Sequence, residues 1–148
     1  MAIGAAFPGE IRRLSVVRQL TTGVVLHLWA ILNDGERHLK RYVVVFVNDE
    51  MVVAFMMNTD LHPLVVPECQ LRLDGFAYIT HPCHLDCGRT RTFEYEEVVR
   101  QLMADTSRIL GRIDSDVRDD IQRAMRDSPL IPDEEKATYH DSLDRVTF

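Results

Sequence analysis

The sequence predicts an α+β fold, a small antiparallel β-barrel followed by C-terminal helices, and three observations carry that prediction. Between Lys40 and Thr59 two apolar runs, Tyr42–Val47 and Met51–Met57, are rich in β-branched or aromatic residues and separated only by Asn48, Asp49 and Glu50. They read as a hairpin, and because both faces of each run are apolar they belong in the middle of a sheet rather than at its wet surface. Around them lie further short apolar segments punctuated by Asn, Asp, Gly and Pro, the pattern of a small antiparallel barrel. At Phe93 the chain changes character, from short runs to helical periodicity with acidic leads.

Taken in order, residues 1–9 read as a mobile lead with Pro8-Gly9 as a turn signal. Ile11, Leu14, Val17 and Leu20 recur at a spacing of three and predict a short helix from Glu10 to Gln19. Val24–Leu32 is apolar except for His27 and reads as a buried strand that includes Trp29, closed by the turn Asn33-Asp34-Gly35-Glu36. After the central hairpin, Leu61–Pro67 carries two prolines and is a loop or edge segment. Gln70–Leu73 is a half-exposed strand turned by Asp74-Gly75, Phe76–Thr80 is the next strand, and His84–Cys87 is another.

Glu94, Glu96 and Glu97 then precede Val98, Val99, Leu102 and Met103, a charge order suited to a helix start, and this helix is expected to run to Leu110 and stop at Gly111. Asp114 or Ser115 caps the next, with Val117, Ile121, Ala124 and Met125 as its apolar stripe to Arg126. Ser128-Pro129 ends it, and Ile131-Pro132 with Asp133, Glu134 and Glu135 opens a last helix through Leu143. The chain reads as one domain, with residues 10–93 as barrel and N-terminal helix and residues 94–148 as an acidic helical extension.

Composition bounds the function. No stretch approaches the ~20 consecutive apolar residues of a membrane span. The first arginines follow the short N-terminal apolar segment rather than precede it, the reverse of a secretory signal, so a cytoplasmic protein without membrane attachment is expected. The net charge of −6 argues against a nucleic-acid binder until its distribution is examined. Residues 1–93 hold nine Lys/Arg against nine Asp/Glu and residues 94–148 hold eight against fourteen, so the whole deficit lies in the C-terminal third. A neutral barrel can still carry a local basic groove, here from Arg37, Lys40, Arg41, Arg72, Arg89 and Arg91. Three cysteines, Cys69, Cys83 and Cys87, are an odd number and argue against a disulfide framework. The cluster from His81 to Cys87, with His84 between, raises a zinc site, although isolated cysteines are most often buried small hydrophobes.

In an antiparallel hairpin the entry and exit ends lie side by side, so Arg41 and Thr59 are expected at one rim of the sheet. An Arg opening a buried strand, followed by Thr59-Asp60-Leu61-His62-Pro63 after an apolar strand, resembles the MazF/PemK family of toxin ribonucleases. His27-Leu28-Trp29-Ala30 and Leu85-Asp86-Cys87 resemble its PemK-type members, of which this chain would be a diverged one; the likeness covers roughly residues 20 to 130 in order and spacing. The resemblance implies an SH3-like barrel, metal-independent cleavage of single-stranded RNA without a cofactor, a homodimer, and an antitoxin protein in the groove, as in type II toxin–antitoxin systems. It also implies that Arg41 stabilises the attacked phosphate and takes part in proton transfer, and that Thr59 hydrogen-bonds the phosphate.

Lys40, Asn58, Arg37, Arg89 and Arg91 are the expected RNA-binding residues, and the high pKa of arginine calls for a helper group, with His27, His62 and Asn58 nearest by sequence. One position departs from the family pattern, since Tyr42 stands where a proline usually follows the catalytic Arg. Taken singly, Arg41 also fits a strand-edge partner of Glu36 or Asp60, and Thr59 a turn residue bonded to local backbone. The rival function is a non-catalytic barrel of the same type that binds protein or nucleic acid.

Overall fold

A computed structural model describes residues 8–148, so residues 1–7 of the expected N-terminal lead lie outside the described residues. The fold is α+β, with seven antiparallel strands and four helices in the order α1 (Pro8–Gln19), β1 (Val24–Ile31), β2 (Arg37–Val47), β3 (Met51–Asn58), β4 (Gln70–Leu73), β5 (Cys83–Asp86), β6 (Arg91–Glu94), α2 (Tyr95–Ala104), β7 (Ile109–Arg112), α3 (Ser115–Arg126) and α4 (Asp133–Asp144). Pro8 and Gly9 are not a turn but the first turn of α1, where proline forfeits no helical hydrogen bond.

The sheet runs β4-β5-β3-β2-β1-β7, and β6 pairs with β3. The outer edge of β3 is divided between two partners. Met51–Ala54 bonds to β6, whereas Met57 and Asn58 bond to β5. Both central runs are covered on both faces, as their unbroken apolarity requires. One face, with Val43, Phe55 and Met57, packs with Val117, Ile121, Met125, Tyr139 and Leu143 of α3 and α4. The other, with Tyr42, Val44, Ala54 and Met56, packs with Val16 of α1 and Val98, Val99 and Leu102 of α2. Residues beyond position 94 therefore supply much of the core.

Further expectations are corrected. Phe76–Thr80 is an irregular loop, not a strand: the Phe76 and Tyr78 rings stack 5.2 Å apart, and Tyr78 is buried in the core. The helix after Phe93 ends at Ala104 instead of Leu110, because the Asp105 side chain accepts the Ser107 N–H and starts a single 3-10 turn. Ile109–Arg112 then becomes β7 and closes the free edge of β1, with Gly111 opposite Val25 rather than capping a helix. The polar stretch after Gly88 likewise yields a strand, β6. In α1 only Val16 is buried and Leu20 follows just after it, while Ile11 and Leu14 of the predicted stripe are exposed. Asp114 caps α3 as its sequence position predicts, its carboxylate accepting the Val117 N–H at 2.8 Å.

Cys69, Cys83 and Cys87 are buried free thiols. Cys83 and Cys87 are four residues apart along and just beyond β5, about 13 Å at strand rise. The zinc reading therefore has no converging donor set, and burial pushes all three thiols above their ordinary value. Among the described residues the one group of three ligand-type side chains close together is Asp34, Glu36 and His38 at the exposed β1–β2 turn. No helix of the described residues is long and apolar enough to cross a membrane.

Candidate functional site

Strand alternation sets the site. Arg41 lies opposite His27 on β1 and points to the opposite face from its neighbour Tyr42. Thr59 follows the last residue of β3, which pairs with His84 of β5. That pairing brings the loop before β5 against the β2–β3 rim. A cleft of about 160 Å³ results, lined by Lys40, Arg41, Asn58, Thr59, Thr80, His81 and Cys83 among others.

Polar groups converge there with unfilled capacity. The Arg41 Nε and Asn58 Nδ2 groups are buried and have no hydrogen-bond partner among the described residues. Leaving a buried donor unpaired costs about 1–3 kcal/mol, so the Arg41 donor points to an acceptor supplied from outside; Asn58 alternates with Met57 along β3, which turns its side chain to the Met56 face, away from Arg41. Arg41 forms no ion pair with Glu36 or Asp60 among the described residues. The Thr59 hydroxyl lies 3.1 Å from His81 Nε2, and His81 Nδ1 lies 3.1 Å from the Thr80 hydroxyl. His84 Nδ1 reaches the Thr59 carbonyl at 3.4 Å, so the Thr59 backbone is held as well as its side chain. Thr59 and His81 are exposed at the mouth, whereas Arg41 is half-buried.

His27 stands opposite Arg41 on the neighbouring strand β1. Burial, then repulsion by Arg41 and Arg108, pushes its imidazole below the ordinary value. The Cys83 thiol is raised by burial, with Arg41 pulling in the opposite sense.

Of the sequence-predicted site residues, Arg41, Thr59, Lys40 and Asn58 share the cleft. The others lie elsewhere. Arg37 stacks 4.6 Å above the half-buried Trp29 ring, four residues along β2. Arg72 faces Asp74 at 3.6 Å on the surface, and Arg89 bonds the Asp86 carboxylate. Arg91 projects from β6 opposite Ala54, on the Tyr42 face of the sheet. His62 serves its own loop, its Nδ1 accepting the Leu64 N–H.

His81 joins the cleft beside Thr59, a position that its place in the cysteine cluster of the sequence does not reveal. Its 22-residue distance from Thr59 hides the contact, which depends on the β3–β5 pairing. A larger, open depression of about 640 Å³ lies between α4 and the start of β1, but its Arg112 is already bound to the Thr21 hydroxyl and Thr22 carbonyl. It lacks the unpaired buried donors of the smaller cleft.

No protein-family model matches the chain, and no curated protein matches it either.

Proposed function

We propose that the protein is an endoribonuclease of the MazF/PemK type, with an SH3-like barrel, that cleaves single-stranded RNA with its own side chains and serves as the toxin of a type II toxin–antitoxin pair. The observation that carries this reading is the meeting, in one cleft, of an arginine with a buried unpaired donor and a threonine bonded to a histidine. It joins the two residues that the family resemblance marks.

In the proposed reaction the RNA 2′-oxygen attacks the adjacent phosphorus while His81 takes its proton, work suited to an imidazole. Arg41 donates to the non-bridging oxygens through its free Nε–H as charge accumulates, and Thr59 holds the phosphate in line. The phosphorus–5′-oxygen bond breaks, the leaving oxygen takes a proton from water, the resulting hydroxide takes the proton held on His81, and the products are a 2′,3′-cyclic phosphate and a 5′-hydroxyl. Lys40 and Asn58 position the strand at the rim. Homodimerisation, and an antitoxin segment occupying this cleft, belong to the same proposal.

The test is cleavage of a long single-stranded RNA in EDTA by the wild type and by Arg41→Ala, Thr59→Ala and His81→Ala, with end-group analysis. Cyclic-phosphate ends that disappear in the variants support the proposal. RNA that is bound at low salt but left intact by the folded wild type replaces it with the non-catalytic binding module.

A further inference from the structure

Opposite the cleft, on the Tyr42 face of the sheet, a second polar cluster is cationic and incompletely bonded. Ala54 faces Val44 on one side and Arg91 on the other, and Met56, two residues on, faces Tyr42. The Tyr42 ring packs edge-on against Phe93 of β6 at 5.0 Å, two residues along that strand from Arg91 and on the same face. Tyr42 is fully buried, and its hydroxyl has no partner among the described residues. Arg89 donates to Asp86 through Nε at 3.3 Å, while its buried Nη2 is unpaired. Asp86 already accepts the Gly88 N–H, and it stands opposite Gln70, whose side chain accepts the His62 backbone N–H. His62 is thereby held beside the cluster.

Two guanidiniums face one carboxylate, and among the described residues Arg91 makes no ion pair. Burial, then repulsion by Arg89, pushes Arg91 below its ordinary value, so the excess charge is felt in place. Two half-buried guanidiniums, one with a buried unpaired Nη2, on the same side of the sheet as an unpaired phenol call for an anion. The donors come from a loop, a strand and a sheet interior, not from one plane. Such a spread suits a tetrahedral oxyanion better than a flat carboxylate.

We propose that Arg89, Arg91 and the Tyr42 hydroxyl form a phosphate-binding site, separate from the Arg41 cleft. The site does not depend on the cleavage reading, and RNA cutting can fail without touching it.

The experiment is a titration of the isotope-labelled full chain with inorganic phosphate, following the arginine Nε–H resonances. Saturable shifts at Arg89 and Arg91 are expected. Tyr42→Phe, which keeps the ring on Phe93, should weaken phosphate binding about fivefold, and Arg91→Gln about tenfold or more. Arg41→Ala should leave it unchanged. A dinucleotide without terminal phosphate identifies the source, shifting the same resonances if the site takes a strand phosphodiester and leaving them still if it takes free phosphate. Absence of saturable shifts, unaltered affinity in folded Tyr42→Phe and Arg91→Gln, or loss of binding in Arg41→Ala would each overturn the site.

Discussion

Arg41→Met should make the protein more stable while abolishing whatever the cleft does. The aliphatic stem of arginine is retained by methionine, so packing beside Cys83 and Met57 changes little. What is removed is a charged head whose Nε is buried without a partner. An unpaired buried donor costs about 1–3 kcal/mol, and among the described residues no ion pair of Arg41 is lost in exchange. Strand propensity is nearly neutral to the change, so the native state should gain about 1–2 kcal/mol. For a chain of this size that corresponds to a rise of about 2–8 °C in Tm. Urea unfolding followed by circular dichroism reads the gain as a higher midpoint at constant slope. A loss of more than about 1 kcal/mol would show that the guanidinium holds the rim together, and would refute the claim that its donor awaits a ligand.

Leu143→Ala should cost about 2–5 kcal/mol in the same assay, since this fully buried α4 side chain sits in the core with Val43 and Phe55. A loss under 1 kcal/mol would mark α4 as a detachable appendage. Gly88→Ala should cost about 1–3 kcal/mol, because the added Cβ would meet Val65 Cγ1 at 2.5 Å and Cys69 Cβ at 3.0 Å. Chemical unfolding unchanged by that variant would contradict the close approach. Stability should also fall as pH drops from about 7 toward 5: folding lowers the His27 pKa, so the unfolded chain binds a proton near its ordinary value of about 6.5 that the native state refuses. His62 acts in the same direction. Stability at fixed urea, measured against pH, should be flatter in His27→Gln, and identical profiles would remove His27 as the cause.

Much of the centre of this fold is legible in the chain itself. Two apolar runs around Asn48-Asp49-Glu50 can satisfy their backbones and bury both faces only as an internal hairpin, and that geometry alone places Arg41 near Thr59. The Asp114 cap is equally local. What escapes is whatever a distant partner decides. Ile109–Arg112 continues a plausible helical stripe, yet the unpaired edge of β1 claims it as β7. Arg91–Glu94 lacks a clear apolar alternation, but Met51–Ala54 offers its edge and turns it into β6. Tyr78 and Phe76 look like strand residues, while their burial against the core needs no ladder. The contact of His81 with Thr59 is invisible for the same reason, since the β3–β5 pairing produces it.

The closure of β1 by β7 has a consequence for synthesis. The first strand of the sheet finds its second neighbour some eighty residues later, and Val25 shares a core with Leu143. Such long-range closure forms late, because the loop entropy must be met before any contact rewards it. A nascent chain leaving the ribosome would carry the β2–β3 hairpin with its apolar faces open until α3 and α4 emerge. The Arg41 cleft, whose lining residues all lie between Leu39 and Cys83, would have left the ribosome complete before α3 and α4 arrive to bury the core beneath it.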